Sequence, residues 1–205
     1  MKKLTLFIAS FVFATASFAQ FERIEVEQVP NSGKVSGKTY RVYAIMKNQG
    51  DIIDAVFGDE RHPLEVTSTK PFYQHKQGGF LSNDVQRFDV QNDPTLSFDS
   101  WFTIGMTDNY NNYLTPFMMD STEIRTFESG GPYRTTSGAW FVTPDRKQGQ
   151  ADKNGRILLI QLTTSGKVTG TLNIHGRERE VKDANGDVIE GGFIIEARGV
   201  KFTCG

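Results

Sequence analysis

The 205-residue sequence contains one cysteine, Cys204, and therefore no internal disulfide. Its stability must come from buried apolar surface, and the lone thiol is either a core side chain or a bridge to another chain. Histidine is scarce: His62, His75 and His175 stand far apart, with no HxH, HExxH or CxxC spacing to encode a transition-metal site. Beyond residue 19 no apolar run approaches the roughly 20 residues of a bilayer-crossing helix, so no membrane span is expected. A GxSxG elbow is missing. The segment "GKVSGKT" (33–39) is one residue short of a phosphate-binding loop and leads into a strand-like stretch rather than a helix. Triads and paired carboxylates leave no spacing signature, and no catalytic residue is assigned.

The first nineteen residues, MKKLTLFIASFVFATASFA, do have a clear pattern. Lys2 and Lys3 precede an apolar run from Leu4 to Ala14, and Ser17-Phe18-Ala19 forms a small-x-small cleavage site. This is the pattern of a secretory signal peptide, predicting a mature chain from Gln20 that is periplasmic or extracellular. No cysteine stands just after the apolar run, which argues against a lipobox anchor. With Lys2 and Lys3 gone, 23 basic side chains fall to 21 against 24 acidic ones, a net charge of about −3. Such a balance favours neither nucleic acid nor an anionic membrane as partner.

From Gln20 onward, helical periodicity is scarce and period-two alternation recurs. Val168, Gly170, Leu172 and Ile174 share one face of a strand, with Thr169, Thr171 and Asn173 on the other. "RILLIQLT" (156–163) is apolar on both faces, and the turn 164–167 predicts a hairpin between the two. Further strands are expected at 23–29, 38–46, 51–57, 63–68, 95–105 and 138–143. A last strand from Phe193 changes parity at Gly199, which predicts a β-bulge. "STEIRTFE" (121–128) is the one helix candidate, and 106–135 reads as an irregular insertion within a single domain, 20–205. "NSGKVSGKTYRV" (31–42) and "TSGKVTGTLNI" (164–174) look alike, as a duplicated hairpin would. The expected fold is all-β: an antiparallel, jelly-roll-like β-sandwich, or alternatively a closed β-barrel.

"DANGDVIEGG" (183–192) places Asp183, Asn185 and Asp187 at alternate positions, as in calcium loops. An EF-hand needs Gly at its sixth position and an acid at its twelfth, where Val188 and Ile194 stand. Asn185-Gly186 is also the preferred pair for a two-residue type I′ turn, so a plain hairpin competes with a loose calcium site. Asp108, Asn109, Asn111 and Asn112 in "TDNYNNY", and the acids of "TPDRKQGQADKNG" (143–155), are further calcium candidates or simply solvated loops. No other cofactor is indicated.

Aromatic side chains are the stronger lead. Trp101 has the opposite parity from Leu96, Phe98, Phe102 and Ile104, which predicts an outward position. Tyr73 and Phe80 flank "QHKQGG", and Tyr110, Tyr113 and Tyr133 lie in the Asn- and Gly-rich centre. Exposed rings beside amides and acids suit sugars, which have one apolar face and a hydroxylated rim; the same rings could instead close the ends of the fold.

"DIIDAVFGDERHPLEVTSTKPFYQHKQGGF", "SFDSWFTIG" and "SGAWFVTPDRKQGQADKNGRILLIQLTTSGKVTGTLNIHGRE" resemble a set of exported proteins of marine and Bacteroidota-type bacteria. The resemblance covers most of the chain beyond residue 19. It implies an exported β-rich module and brings no catalytic residue. Taken together, the expectation is a non-catalytic protein that binds a glycan or cell-surface ligand, or that self-assembles through edge strands and Cys204. The alternative is a secreted hydrolase acting on polysaccharide.

Overall fold

The computed structural model describes residues 20–205; the expected signal peptide, 1–19, lies outside the described residues. Thirteen strands and two α-helices follow in order. They are β1 (Phe21–Val29), β2 (Lys38–Met46), β3 (Ile52–Phe57), β4 (Leu64–Ser68), α1 (Arg87–Asn92), β5 (Trp101–Phe102), β6 (Thr115–Phe117) and α2 (Ser121–Glu128). The rest are β7 (Tyr133–Thr135), β8 (Ala139–Phe141), β9 (Arg156–Thr164), β10 (Val168–Arg177), β11 (Val181–Lys182), β12 (Val188–Glu190) and β13 (Ile194–Cys204). No helix among the described residues is long and apolar enough to cross a membrane.

A four-stranded sheet runs β1-β2-β9-β5, and a seven-stranded one runs β6-β8-β3-β10-β4-β7 with β13 also on β10. All strand pairings are antiparallel. Neither sheet closes on itself, so the barrel expectation is corrected. Strand β10 is the spine of the larger sheet. Its first half pairs with β4 and its second with β3 along one edge, and β13 follows the other edge. Both sheets feed one hydrophobic cluster, with Val42, Leu159 and Ile160 from one and Val56, Leu172 and Ile174 from the other. Phe80, Phe102, Phe127, Tyr133 and Trp140 pack within it, with Phe80 4.8 Å from Phe102 and Phe102 5.0 Å from Trp140. Offset and edge-on contacts of this kind add to the area term of burial.

Local chemistry accounts for several departures from expectation. The predicted strand 95–105 is a 3-10 turn over Pro94–Phe98 followed by the two residues of β5. Asp93 caps the turn by accepting from the Thr95 amide at 3.0 Å, and Pro94 supplies a backbone set for its first position. This segment and α1 cover the outer face of the smaller sheet, where Trp101 packs with Val85, Leu96 and Leu158. The expected hairpin across 164–167 is also corrected: β9 and β10 belong to different sheets, and the turn passes the chain from one to the other. Residues 31–42 instead join β1 to β2 in one sheet, so the two look-alike segments are not copies of one hairpin.

Other expectations hold in detail. Gly199 sits at φ +63°, and Asn173 faces the two residues Arg198 and Gly199, which is the bulge. Helix α2 spans the expected residues, with the Asp120 carboxylate accepting from the Thr122 and Glu123 amides. Residues 106–135, expected as an irregular insertion, carry β6, α2 and β7.

Candidate functional site

The most developed exposed surface lies where the loop 105–113 meets the 3-10 turn Lys147–Gly149. One side chain, Gln148, holds the two together. Its amide nitrogen donates to the Ile104 carbonyl at 2.9 Å and to Asn112 Oδ1 at 3.1 Å, and its oxygen accepts from the Tyr113 amide at 2.7 Å. The amides of "TDNYNNY" serve the loop itself. Asn109 Oδ1 accepts from the Arg87 amide at 3.0 Å, Asn109 Nδ2 donates to Gln86 Oε1 at 2.7 Å, and Asn112 Nδ2 donates to the Ser82 hydroxyl at 2.8 Å.

This scaffold displays Tyr110 and Tyr113, strand β2 presents Tyr43 beside the 3-10 turn, and each of the three lies under an arginine. The guanidinium carbon of Arg87 lies 4.3 Å from the Tyr110 ring centre, that of Arg146 4.0 Å from Tyr113, and that of Arg156 3.8 Å from Tyr43. Tyr110 is 56% and Tyr113 48% exposed, leaving much of each ring free. A hollow of about 360 Å³ beside Tyr113 adjoins one of about 430 Å³ beside Tyr43 and Arg156, and the two share Met106, Lys147 and Gln148. Each arginine is balanced by a carboxylate: Asp108 at 3.0 Å from Arg87, Glu27 at 2.7 Å from Arg156 and Asp145 at 3.8 Å from Arg146. The surface is therefore aromatic and polar with little net charge. Cation–π contact holds each ring in one orientation, a preorganisation that lowers the cost of stacking a ligand on the open face.

The remaining residues predicted as ligand-binding lie elsewhere. Trp101 does point away from Phe102 and Ile104, onto the outer face of the smaller sheet, but it is 1% exposed because the 3-10 turn and α1 cover that face. Phe80 and Tyr133 are buried in the main aromatic core. Tyr73 is half-buried, its ring 6.4 Å from that of His75 and its amide donating to the Thr163 carbonyl at 2.7 Å. Sequence reasoning missed Tyr43, Arg87, Arg146, Arg156 and Gln148. Tyr43 was legible, since it shares parity with Thr39 and Arg41 while Tyr40, Val42 and Ala44 face the core. The arginines come from distant segments and carry no local signal.

Two of the calcium candidates, Asp183 and Asp108, are already engaged. Asp183 Oδ1 accepts from the Asn185 amide at 2.8 Å and the Asp187 amide at 3.0 Å, closing the turn between β11 and β12. Gly186 has φ +91° and Asn185 does not share that region, so the turn is a three-residue one rather than type I′. Asp108 accepts from Arg87 Nε at 3.0 Å and the Tyr110 amide at 2.9 Å. Among the described residues no group of three or more His, Cys, Asp or Glu is placed to hold a metal ion.

Each histidine instead meets an aspartate: His62 with Asp59 at 3.3 Å, His75 with Asp93 at 3.1 Å and His175 with Asp54 at 2.6 Å. Asp54 is the extra residue of a bulge opposite His175, which turns its carboxylate onto the ring. Burial pushes the Asp99 carboxyl up to about 7, although its oxygens accept from the His75 amide at 2.7 Å and the Gly79 amide at 3.2 Å. Glu128 is raised by burial and by the charge of Asp84. Cys204, expected as either a core side chain or an intermolecular bridge, lies buried in the main cluster, where desolvation pushes its thiol up to about 12; the thiolate that disulfide exchange requires is disfavoured there.

No protein-family model, curated protein or solved structure matches this chain.

Proposed function

We propose that this protein is an exported, non-catalytic, sandwich-like β-module that binds uncharged stretches of glycan across Tyr43, Tyr110 and Tyr113. The observation that carries the reading is the pair of half-exposed rings on one loop, Tyr110 and Tyr113, each backed by a guanidinium, with a hollow beside Tyr113. A pyranose ring has an apolar C–H face for the tyrosines and rim hydroxyls for Gln148, Asn111 and the arginines. Export rests on the pattern of residues 1–19. It is compatible with Gln20, which is buried, accepts from the Lys47 amide at 2.8 Å and meets Asn48 Nδ2 at 3.0 Å, so a chain beginning there retains these contacts.

The hydrolase alternative calls for two carboxylates facing a cleft. Asp99 is fully buried with its oxygens on backbone amides, which gives that reading no support from the acid most shifted toward neutrality. Affinity electrophoresis against neutral polysaccharides tests the binding reading. At least one polymer should retard the wild type, and Tyr110→Ala and Tyr113→Ala should each weaken that binding by about 3- to 10-fold with an unchanged unfolding midpoint. If no polymer retards the wild type, or both variants bind as it does, the proposal fails.

A further inference from the structure

The two look-alike segments at 31–42 and 164–174 play no part in the tyrosine surface, yet the fold brings their Ser-Gly-Lys turns together. Lys38 opens β2 opposite Thr164, which closes β9. A Cβ on Gly37 would overlap the Thr164 carbonyl, and one on Gly166 would overlap the Lys70 amide and the Ser68 hydroxyl, so glycine is what allows these segments to touch. The loop carrying Lys70 is tied to the second turn. The Lys167 amide donates to Thr69 Oγ1 at 2.9 Å, the Thr69 amide donates to the Lys167 carbonyl at 3.0 Å, and Thr164 Oγ1 donates to the Pro71 carbonyl at 2.9 Å. Between the turns is a hollow of about 460 Å³ lined in part by Lys38, Tyr40, Ser165, Lys167 and Gly205.

Side-chain charge at this end is one-sided, four lysines set against the Gly205 α-carboxylate alone. Residues 30–38, 66–74, 163–170 and 202–205 carry Lys34, Lys38, Lys70 and Lys167 and not one Asp or Glu. Lys38, Lys70 and Lys167 are exposed, and among the described residues none of them makes an ion pair, with the Gly205 α-carboxylate or any other acid. Several arginines elsewhere are engaged, Arg87 with Asp108, Arg156 with Glu27, Arg177 with Asp54 and Arg198 with Asp59. In a chain whose net charge beyond residue 19 is negative, this is a local reversal of sign around a concavity, the arrangement that concentrates anions. None of the large exposed apolar side chains lies in these segments, so there is neither a wedge for a bilayer nor an exposed ring for a nucleobase.

We propose that the paired Ser-Gly-Lys turns bind the acidic groups, sulfate ester or carboxylate, of an anionic polysaccharide. Lys38 and Lys167 straddle the anion, and the Ser165 hydroxyl serves the sugar. This site is independent of the tyrosine surface, for Arg156 and Thr164 stand at opposite ends of β9, about 26 Å apart along an extended strand.

The chain from Gln20 would be titrated with dextran sulfate, polygalacturonate, neutral dextran and vesicles containing phosphatidylserine, over a range of salt. The Lys38→Gln/Lys167→Gln variant would be compared with Lys76→Gln/Lys153→Gln, which removes equal charge elsewhere. The wild type should bind at least one acidic polymer; which one separates sulfate from carboxylate. The turn variant should lose about 10-fold or more in affinity and about two units of the logarithmic salt slope, with the control unchanged. Three outcomes would overturn the proposal: a wild type bound by neither acidic polymer at low salt, a turn variant no weaker than the control, or vesicle binding as tight as polymer binding. Any binding to neutral dextran through the tyrosines would survive in the turn variant, so the two sites fail separately.

Discussion

Asp99 has a structural task that conflicts with its charge. Its carboxylate gathers the amides of His75 and Gly79 and so shapes the 75–79 loop, but it does this without solvent, and burial outweighs the two hydrogen bonds. Its folded-state value of about 7 lies above the ordinary 3.8, so the folded chain holds a proton that the unfolded chain has lost. The stabilisation this proton provides is complete below about pH 4 and is lost as pH rises through about 7. Asp99→Asn removes the titration and leaves one backbone amide facing an amide nitrogen, at a cost of about 1–3 kcal/mol. The midpoint of the wild type relative to that variant should therefore fall between pH 4 and pH 7.5; a difference independent of pH would contradict the assignment. At the same scale, Tyr110 and Tyr113 illustrate how one chemical pattern divides by context. Aromatic residues next to amides recur along this chain, and it was the partner, a guanidinium for these two and the core for Phe80 and Tyr133, that decided exposure.

Among the elements, β10 is the most constrained, since it hydrogen-bonds β3, β4 and β13 at once. The irregularity that lets β13 follow it is local and cheap to test. Gly199 has positive φ and nothing within 4 Å of a would-be Cβ, so replacing it probes backbone strain alone. Gly199→Ala should cost about 1 kcal/mol in denaturant unfolding, and Gly199→Asn less, because Asn tolerates the left-handed region. Equal stability of wild type and Ala would mean that the bulge takes another form. This bulge was legible because a change of parity around a glycine is written in consecutive residues. The pairing of β9 with β2 instead of β10 was not, since a short polar turn reads the same whether the chain folds back within a sheet or crosses to the next. The strand expected over 95–105 failed similarly: alternation of apolar residues outweighed Asp93-Pro94, whose capping chemistry is local and prevailed.

Across the whole molecule, stability rests on one cluster fed by both sheets, and the carboxylates of Asp183 and Asp108, two of those considered for calcium, already serve a turn and an arginine. Millimolar calcium should then leave the unfolding midpoint where EDTA leaves it, because only an ion bound by the native state raises it by mass action. A rise of several degrees would show that Asp183 or Asp108 exchanges its present partners for the ion. The two surfaces with exposed chemistry, tyrosine–arginine and paired lysine turns, stand toward opposite ends of the strand they share. An extended polymer could engage both only by running along the molecule.

Residues 20–205 by themselves determined the β class, the antiparallel habit, the α2 helix, the Gly199 bulge and the β11–β12 turn. Each of these depends on neighbours within a few positions, where period, capping and backbone preference act. Tertiary structure alone decided which strands share a sheet, which aromatic rings face water, and that Lys38, Lys70 and Lys167 converge. Those outcomes depend on contacts between segments tens of residues apart, chosen by the packing of a common core rather than by any local preference.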